Sequence, residues 1–177
     1  MTDNKNLDYF ITDLANLYTP YFDVYRDEKI NDLSLAFIAQ FKRRDERYMV
    51  SKKIKVYSVE NQQVIFTAVC KGGIQEGYLK KFQQEITNHL EGFIPNDREH
   101  MSTVALGIIV TDEDVSQEDV REVRRYRKLK FLKFGFHGWI EMYLAIINPY
   151  HQQIEIHPKG KSLISPMKKL LKEEVHL

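Results

Sequence analysis

The sequence predicts an α+β fold: a mixed, mostly antiparallel β-sheet flanked by helices, in a single domain over residues 1–177. Three observations lead there. The spacing of apolar residues switches repeatedly between 3.6 and 2, with no linker long enough to divide the chain. Val104 to Val110 is an unbroken apolar run between two helical stretches, as expected of a strand covered on both faces. Lys128 to His157 reads as two β-runs reversed at Phe136-His137-Gly138, with a third run after Pro149.

The predicted order is α-β-β-β-β-α-β-α-β-β-β-α. Leu7, Phe10, Ile11, Leu14, Leu17 and Tyr18 recur at helical spacing, and Pro20 closes a first helix over 6–18. Phe22 to Arg26 is a short strand, followed by a polar loop through Asp27-Glu28-Lys29. Leu33, Leu35, Phe37, Ala39 and Phe41 then alternate with their neighbours. Tyr48 to Ser58 alternates again, and Val64 to Val69 is apolar and β-branched enough for a central strand. This segment is expected to be an antiparallel meander.

Lys71-Gly72-Gly73 breaks the pattern. Leu79, Phe82, Ile86, Leu90 and Phe93 then mark a second helix over 77–93. The unit 63–70, 77–93 and 104–110 should be a right-handed crossover between parallel strands. Ser116 and Asp119 fit a capping box that opens a third helix, with Val120 and Val123 buried. That helix runs out near Tyr126. Residues 129–136 and 139–147 should then pair antiparallel in the longest ladder of the protein. Ile140, Met142, Leu144 and Ile146 should face one side; Trp139, Glu141, Tyr143, Ala145 and Ile147 should face the other. Both rows are largely apolar, so one face calls for helices and the other for another layer or subunit. Gly138 should take positive φ at the reversal, and Trp139 should join the core. A last short helix from Ser165 or Pro166 carries Met167, Leu170 and Leu171.

At 177 residues, roughly 70% of the unfolded chain's surface can be buried, so ten Tyr and ten Phe suffice for a core without staples. Cys70 is the only cysteine, which excludes an internal disulfide and a cysteine-based zinc site and fits a reducing cytosol. The amino terminus has neither the basic region nor the apolar run of a signal peptide, and no apolar run approaches ~20 residues. A cytoplasmic domain with no membrane partner is the expectation.

The net charge is +1, which predicts no global affinity for polyanions, but its distribution is uneven. Residues 1–32 hold seven acids and three bases; residues 121–133 hold seven bases and one acid. Arg121, Arg124, Arg125, Arg127, Lys128, Lys130 and Lys133 are thus the candidate nucleic-acid or polyanion site. Arg121, Arg124, Arg125 and Lys128 would share a helix face, and Lys128 and Lys130 a strand face. Tyr126, Phe131 and Phe134 could stack on bases. The contrary expectation is that acids of 112–122 and of the first helix neutralise these bases. A second basic run, Lys42 to Lys55, suits a solvated sheet face or edge.

The order αβββαβ over residues 6–110 resembles the core of the restriction-endonuclease-like nucleases. That resemblance implies an acid on the second core strand and an acid-x-Lys motif on the third, which together hold a metal. Here YMVSKKIKVYS has no carboxylate, and QQVIFTAVCK has no acid two residues before a lysine. Glu60 and Lys71 stand ~35 Å apart along an extended strand. ERYMVSKKIKVYSVEN and KFLKFGFHGW are also similar to a set of uncharacterised bacterial proteins of about this length.

Asp112-Glu113-Asp114 follow the buried strand at its C-terminal end, where hard cations or other ligands bind in open α/β sheets. The acids lack the alternation of a calcium loop, and a solvated helix entry is the plainer expectation. His137, His151 and His157 show no HxH or HExxH spacing and read as turn or surface residues. Cys70 reads as a buried thiol, and no phosphate-loop motif occurs. No metal, no cofactor and no catalytic residue is therefore assigned. The favoured expectation is a non-catalytic binding or assembly module of the bacterial cytosol, with a homodimer through the 129–147 hairpin. The alternative is nucleic-acid binding through 121–133. A divergent metal-dependent nuclease is the second alternative; it needs carboxylates among Asp45, Glu46, Glu60 and Asp112 to converge.

Overall fold

The computed structural model describes residues 3–41, 61–94, 102–132 and 138–173, without the side chains of 3–6 and 61. The chain order is α1 (Asp3–Tyr18), β1 (Phe22–Ile30), β2 (Leu33–Phe41), β3 (Asn61–Cys70), α2 (Tyr78–His89), β4 (Ser102–Thr111), α3 (Gln117–Arg125), β5 (Arg127–Phe131), β6 (Trp139–Asn148), β7 (Gln153–Ile156) and α4 (Ser165–Glu173). Short 3-10 turns follow α2 at Leu90–Phe93 and precede α4 at Pro158–Ile164. The expected α+β class holds. The expected strand at Tyr48 to Ser58 lies outside the described residues.

One sheet runs β1-β2-β3-β4-β6-β5, and β7 also pairs with β6. β3, β4 and β6 are mutually parallel; the other pairings are antiparallel. β4 sits between β3 and β6 because it is apolar on both sides and buried on both. Leu106, Ile108 and Val110 meet one face's core with Leu7, Phe10 and Leu14 of α1 and Met167 and Leu171 of α4. Ala105 and Ile109 meet the other with Leu79, Phe82 and Ile86 of α2 and Val123 of α3. Fully burying each such Leu, Ile or Phe contributes roughly 1.5–3 kcal/mol, which is why the helices stay docked.

The two rows of β6 divide as expected. Ile140, Met142, Leu144 and Ile146 face α2 and α3, and Tyr143, Ala145 and Ile147 face α1 and α4. Helices of this same chain therefore cover the second face, where another layer or subunit was anticipated. The hairpin ladder differs from the expectation. β5 starts at Arg127 and pairs with Trp139 to Tyr143, while the longest ladder joins β3 to β4. Beyond Phe131 the two strands are joined by Leu132 N donating to Gly138 O at 2.9 Å. Gly138 has φ 82°, as the reversal required; Phe136 and His137 lie outside the described residues. Trp139, expected in the core, is 38% exposed, because it opens β6 opposite the exposed Phe131 of the edge strand.

The expected loop at Asp27 to Lys29 is instead strand, since β1 continues to Ile30 and turns at Asn31-Asp32. Within this ribbon the buried side changes. Phe22, Phe37 and Ala39 pack on the α1 side, whereas Ile30, Leu33 and Leu35 pack on the α2 side. Asp27, with φ 54°, stands between the two sets and turns the ribbon tip over α2, where Asn31 Nδ2 donates to Glu85 at 2.9 Å. Strict alternation along β2 misses this because the buried side changes within the strand, between Leu35 and Phe37.

Candidate functional site

Among the described residues β5 is one edge of the sheet, with β1 at the other, and all five residues of β5 are exposed. Its start follows from α3. Ser116 caps that helix by accepting from Asp119 N at 3.1 Å, as its sequence required. Tyr126 ends it in extended geometry, with ψ 110°. β5 and β7 both pair with the side of β6 opposite β4, over consecutive stretches of β6, so they lie end to end along one edge.

The register settles where β5 aims its groups. Leu132 and Gly138 form a hydrogen-bonded pair, and such pairs alternate along an antiparallel ladder. Lys130 and Lys128 therefore turn their backbone toward β6. Arg127, Leu129 and Phe131 turn their N–H and C=O groups outward. Lys128 and Lys130 face the α2 side, opposite Met142 and Ile140, beside a shallow groove lined by Thr87, Leu90 and Glu91. On the other side Leu129 is 44% exposed and Phe131 is 62% exposed, with Trp139 opposite Phe131.

Between that apolar corner and β7 lies a polar link. Arg127 Nε donates to Glu141 Oε1 at 2.6 Å and to the Tyr143 hydroxyl at 3.2 Å, and Tyr143 in turn donates to Glu141. Burial alone raises the Glu141 carboxyl, but Tyr143 and Arg127 outweigh it and hold the group below the usual carboxylate value. Burial and the Glu141 carboxylate both push the Tyr143 phenol up. The Tyr143 ring is held by Gly160, where a Cβ would stand 2.9 Å from Tyr143 Cδ1, and has His157 6.0 Å away between ring centres. Through Arg127 Nε, Glu141 Oε1 and the Tyr143 hydroxyl, this link fastens β5 to β6.

Of the six described basic residues of 121–133, four point to different partners. Arg121 Nε donates to the Gln117 carbonyl at 3.4 Å, and Arg124 pairs with Glu155 of β7 at 2.7 Å. Arg127 pairs with Glu141 on one face, and Lys130 pairs with Glu91 on the other. Arg125 and Lys128 have no ion pair among the described residues, and Lys133 lies outside them. Lys128 does not extend the helix face of Arg121, Arg124 and Arg125, because α3 stops at Arg125. Among the described residues the acids that pair with these bases are Glu91, Glu141 and Glu155. All three are distant in sequence, so charge counting along the chain could not find them. The apolar half of the edge was legible, however, since Leu129 and Phe131 alternate with Lys128 and Lys130.

The C-terminal ends of the parallel strands are bound to each other. Thr111 Oγ1 donates to Cys70 O at 3.0 Å, Gly72 N donates to Asp112 Oδ1 at 2.7 Å, and buried Asn148 donates to Glu113 O at 2.9 Å. Asp114 pairs with His151 at 3.0 Å, and His157 Nδ1 accepts from Lys159 N. The crossover helices α2 and α3 lie on the same face. No strand junction here sends connections to opposite faces, which is what opens a ligand crevice in parallel sheets. Among the described residues no group of three or more His, Cys, Asp or Glu could hold a metal. Asp45, Glu46, Glu60 and His137 lie outside them. Burial, with the nearby Asp112 charge, pushes the Cys70 thiol up to about 11 even though Tyr78 hydrogen-bonds it, which leaves it a poor nucleophile.

Fold and site together define an α+β domain with one mixed sheet, covered by helices on both faces and open along the β5 edge. The chain belongs to the family described as domain of unknown function DUF8052, whose model matches residues 6–169. No curated protein matches the chain. No solved structure matches it either, so the likeness to the restriction-endonuclease-like core stands on element order alone. In that order β2 carries no carboxylate and β3 no acid-x-Lys motif. No helix among the described residues is long and apolar enough to cross a membrane.

Proposed function

We propose that this domain is a non-catalytic binding or assembly module that works through the β5 edge and the corner formed by Leu129, Phe131 and Trp139. One observation carries the reading: these three large apolar side chains are exposed beside an edge strand whose own residues are all exposed. Exposed apolar groups beside unpaired strand backbone favour recruitment of another chain. Arg127, Lys130, Glu141 and Tyr143 nearby are engaged in links between elements.

The test is site-specific photocrosslinking in cells, with the photoreactive residue at position 131 and a control at position 9, since Tyr9 is equally exposed on α1. Discrete adducts at 131, lost when Leu129 and Trp139 become Ser, are expected. Equal adduct patterns at both positions, or none at 131, would overturn the proposal. An adduct with a second copy of the chain would make the module an assembly device and revive the 129–147 homodimer.

A nucleic-acid reading retains Arg121, Arg125 and Lys128 as its cations, because Arg124, Arg127 and Lys130 already hold glutamates. It requires salt-dependent binding of DNA or RNA. Absence of binding to either at ~50 mM salt, where screening is weak, removes it.

A further inference from the structure

Resting on the β5 edge as the working surface, we infer that its occupant is an extended acidic segment of a partner protein, added to the sheet as an antiparallel strand. Three features of the edge select this chemistry. The outward backbone groups of Arg127, Leu129 and Phe131 offer main-chain hydrogen bonds to a strand laid ~4.8 Å away. Side chains of that strand on the α2 side fall beside Lys128 and Lys130, of which Lys128 has no acid partner among the described residues. Side chains on the opposite side fall beside Leu129 and Phe131, next to Trp139. The complementary segment therefore alternates acidic and apolar residues.

Charge also argues against the competing occupants. A second copy pairing antiparallel about Leu129 would set Lys128 opposite Lys130 of its twin, twice over, and like charges directly opposite destabilise a ladder. The lysines thus guard the edge against indiscriminate pairing while admitting an acidic strand. Nucleic acid would need the bases gathered on one surface, yet Arg127 faces away from Lys128 and Lys130.

The direction of the added strand gives a sharp test. Opposite residues of an antiparallel pair share a face, so the apolar residues that lie beside Leu129 and Phe131 are those whose amides bond to β5. The probe is a fluorescein-labelled peptide of alternating Glu and Val, about eight residues long to span the β5 ladder. Its binding to the full chain is followed by fluorescence anisotropy. Binding is expected, and it should weaken severalfold as salt rises from ~50 to ~300 mM. N-methylation of the valines should abolish it, whereas N-methylation of the glutamates should be tolerated. The corresponding Lys–Val peptide and single-stranded DNA should not bind. Replacing both lysines, Lys128→Glu with Lys130→Glu, should transfer the preference to the Lys–Val peptide.

Failure of the Glu–Val peptide to bind, or tolerance of both N-methylations, would overturn the inference. So would stronger binding of DNA, or a wild-type dimer in sedimentation that Leu129→Pro dissociates. Peptide failure with position-131 crosslinks retained would leave the β5 edge as the working surface and refute only its acidic occupant. Loss of those crosslinks would remove both readings.

Discussion

Gly107 in β4 lies directly beneath Phe82 of α2: a Cβ at position 107 would stand 2.8 Å from Phe82 Cε1 and 2.9 Å from Leu144 Cδ2. The missing side chain lets α2 settle onto the centre of the sheet. Gly107→Ala should overpack this contact by about 1–3 kcal/mol. Restricting the unfolded chain returns about 0.4–1 kcal/mol, so a net loss of about 1–2 kcal/mol is expected. Urea unfolding of the variant measures it, and an unchanged midpoint would show that α2 can shift at no cost.

Asn148 is fully buried at the end of β6. Its amide donates to Glu113 O, and its oxygen accepts from Tyr150 N at 3.0 Å and from His151 N at 3.2 Å. One side chain thereby ties the β4–α3 loop to the β6–β7 turn. Asn148→Ala removes three partly buried hydrogen bonds, each worth about 0.5–1.5 kcal/mol net, and should cost about 2–4 kcal/mol in all. Hydrogen exchange should speed up at residues 150 and 151 before the rest of the sheet opens.

Gly138 joins the reversal to β6 with φ 82°. A β-branched residue is strained there, so Gly138→Val should lower stability by about 1–3 kcal/mol. Gly138→Asn, which tolerates the left-handed region, should recover much of that loss. Equal thermal midpoints for the Val and Asn variants would dissociate the cost from the backbone angle.

Glu141 titrates below its ordinary value of 4.5 in the folded chain, because Tyr143 and Arg127 favour the carboxylate more than burial opposes it. A lowered folded value means the stabilising contribution is complete above the unfolded value and disappears as pH falls through the folded one. Glu141→Gln should therefore unfold more easily than wild type at neutral pH. The two should converge as the pH falls through the lowered folded value. A difference that does not shrink as the pH is lowered would assign the effect to packing of the side chain.

Much of the fold was legible because its signals are local. The cap at Ser116, the opposed rows of β6 and the buried helical face of Leu79, Phe82 and Ile86 each follow from residues within a few turns of one another. The β1–β2 ribbon was misread where Asp27 takes positive φ, since no periodicity encodes a single left-handed residue. The hairpin register was misread, since Phe131 pairs directly with Trp139. At the candidate site the apolar residues were visible, but the glutamates facing the basic run were not.

By itself, the sequence determined the four helices, the buried row of α2, the opposed rows of β6 from Ile140 to Ile147, and the positive φ at Gly138. These depend on side-chain period and on backbone sterics within a few residues. Tertiary structure alone decided that β4 lies between β3 and β6, so that α2 and α3 cover one face together and leave no crevice between those strands. It also decided that β5 is an edge, and that Arg124, Arg127 and Lys130 meet Glu155, Glu141 and Glu91. Strand order and ion pairing join residues tens of positions apart. Their free energy comes from burying both faces of the sheet at once, which no local window contains.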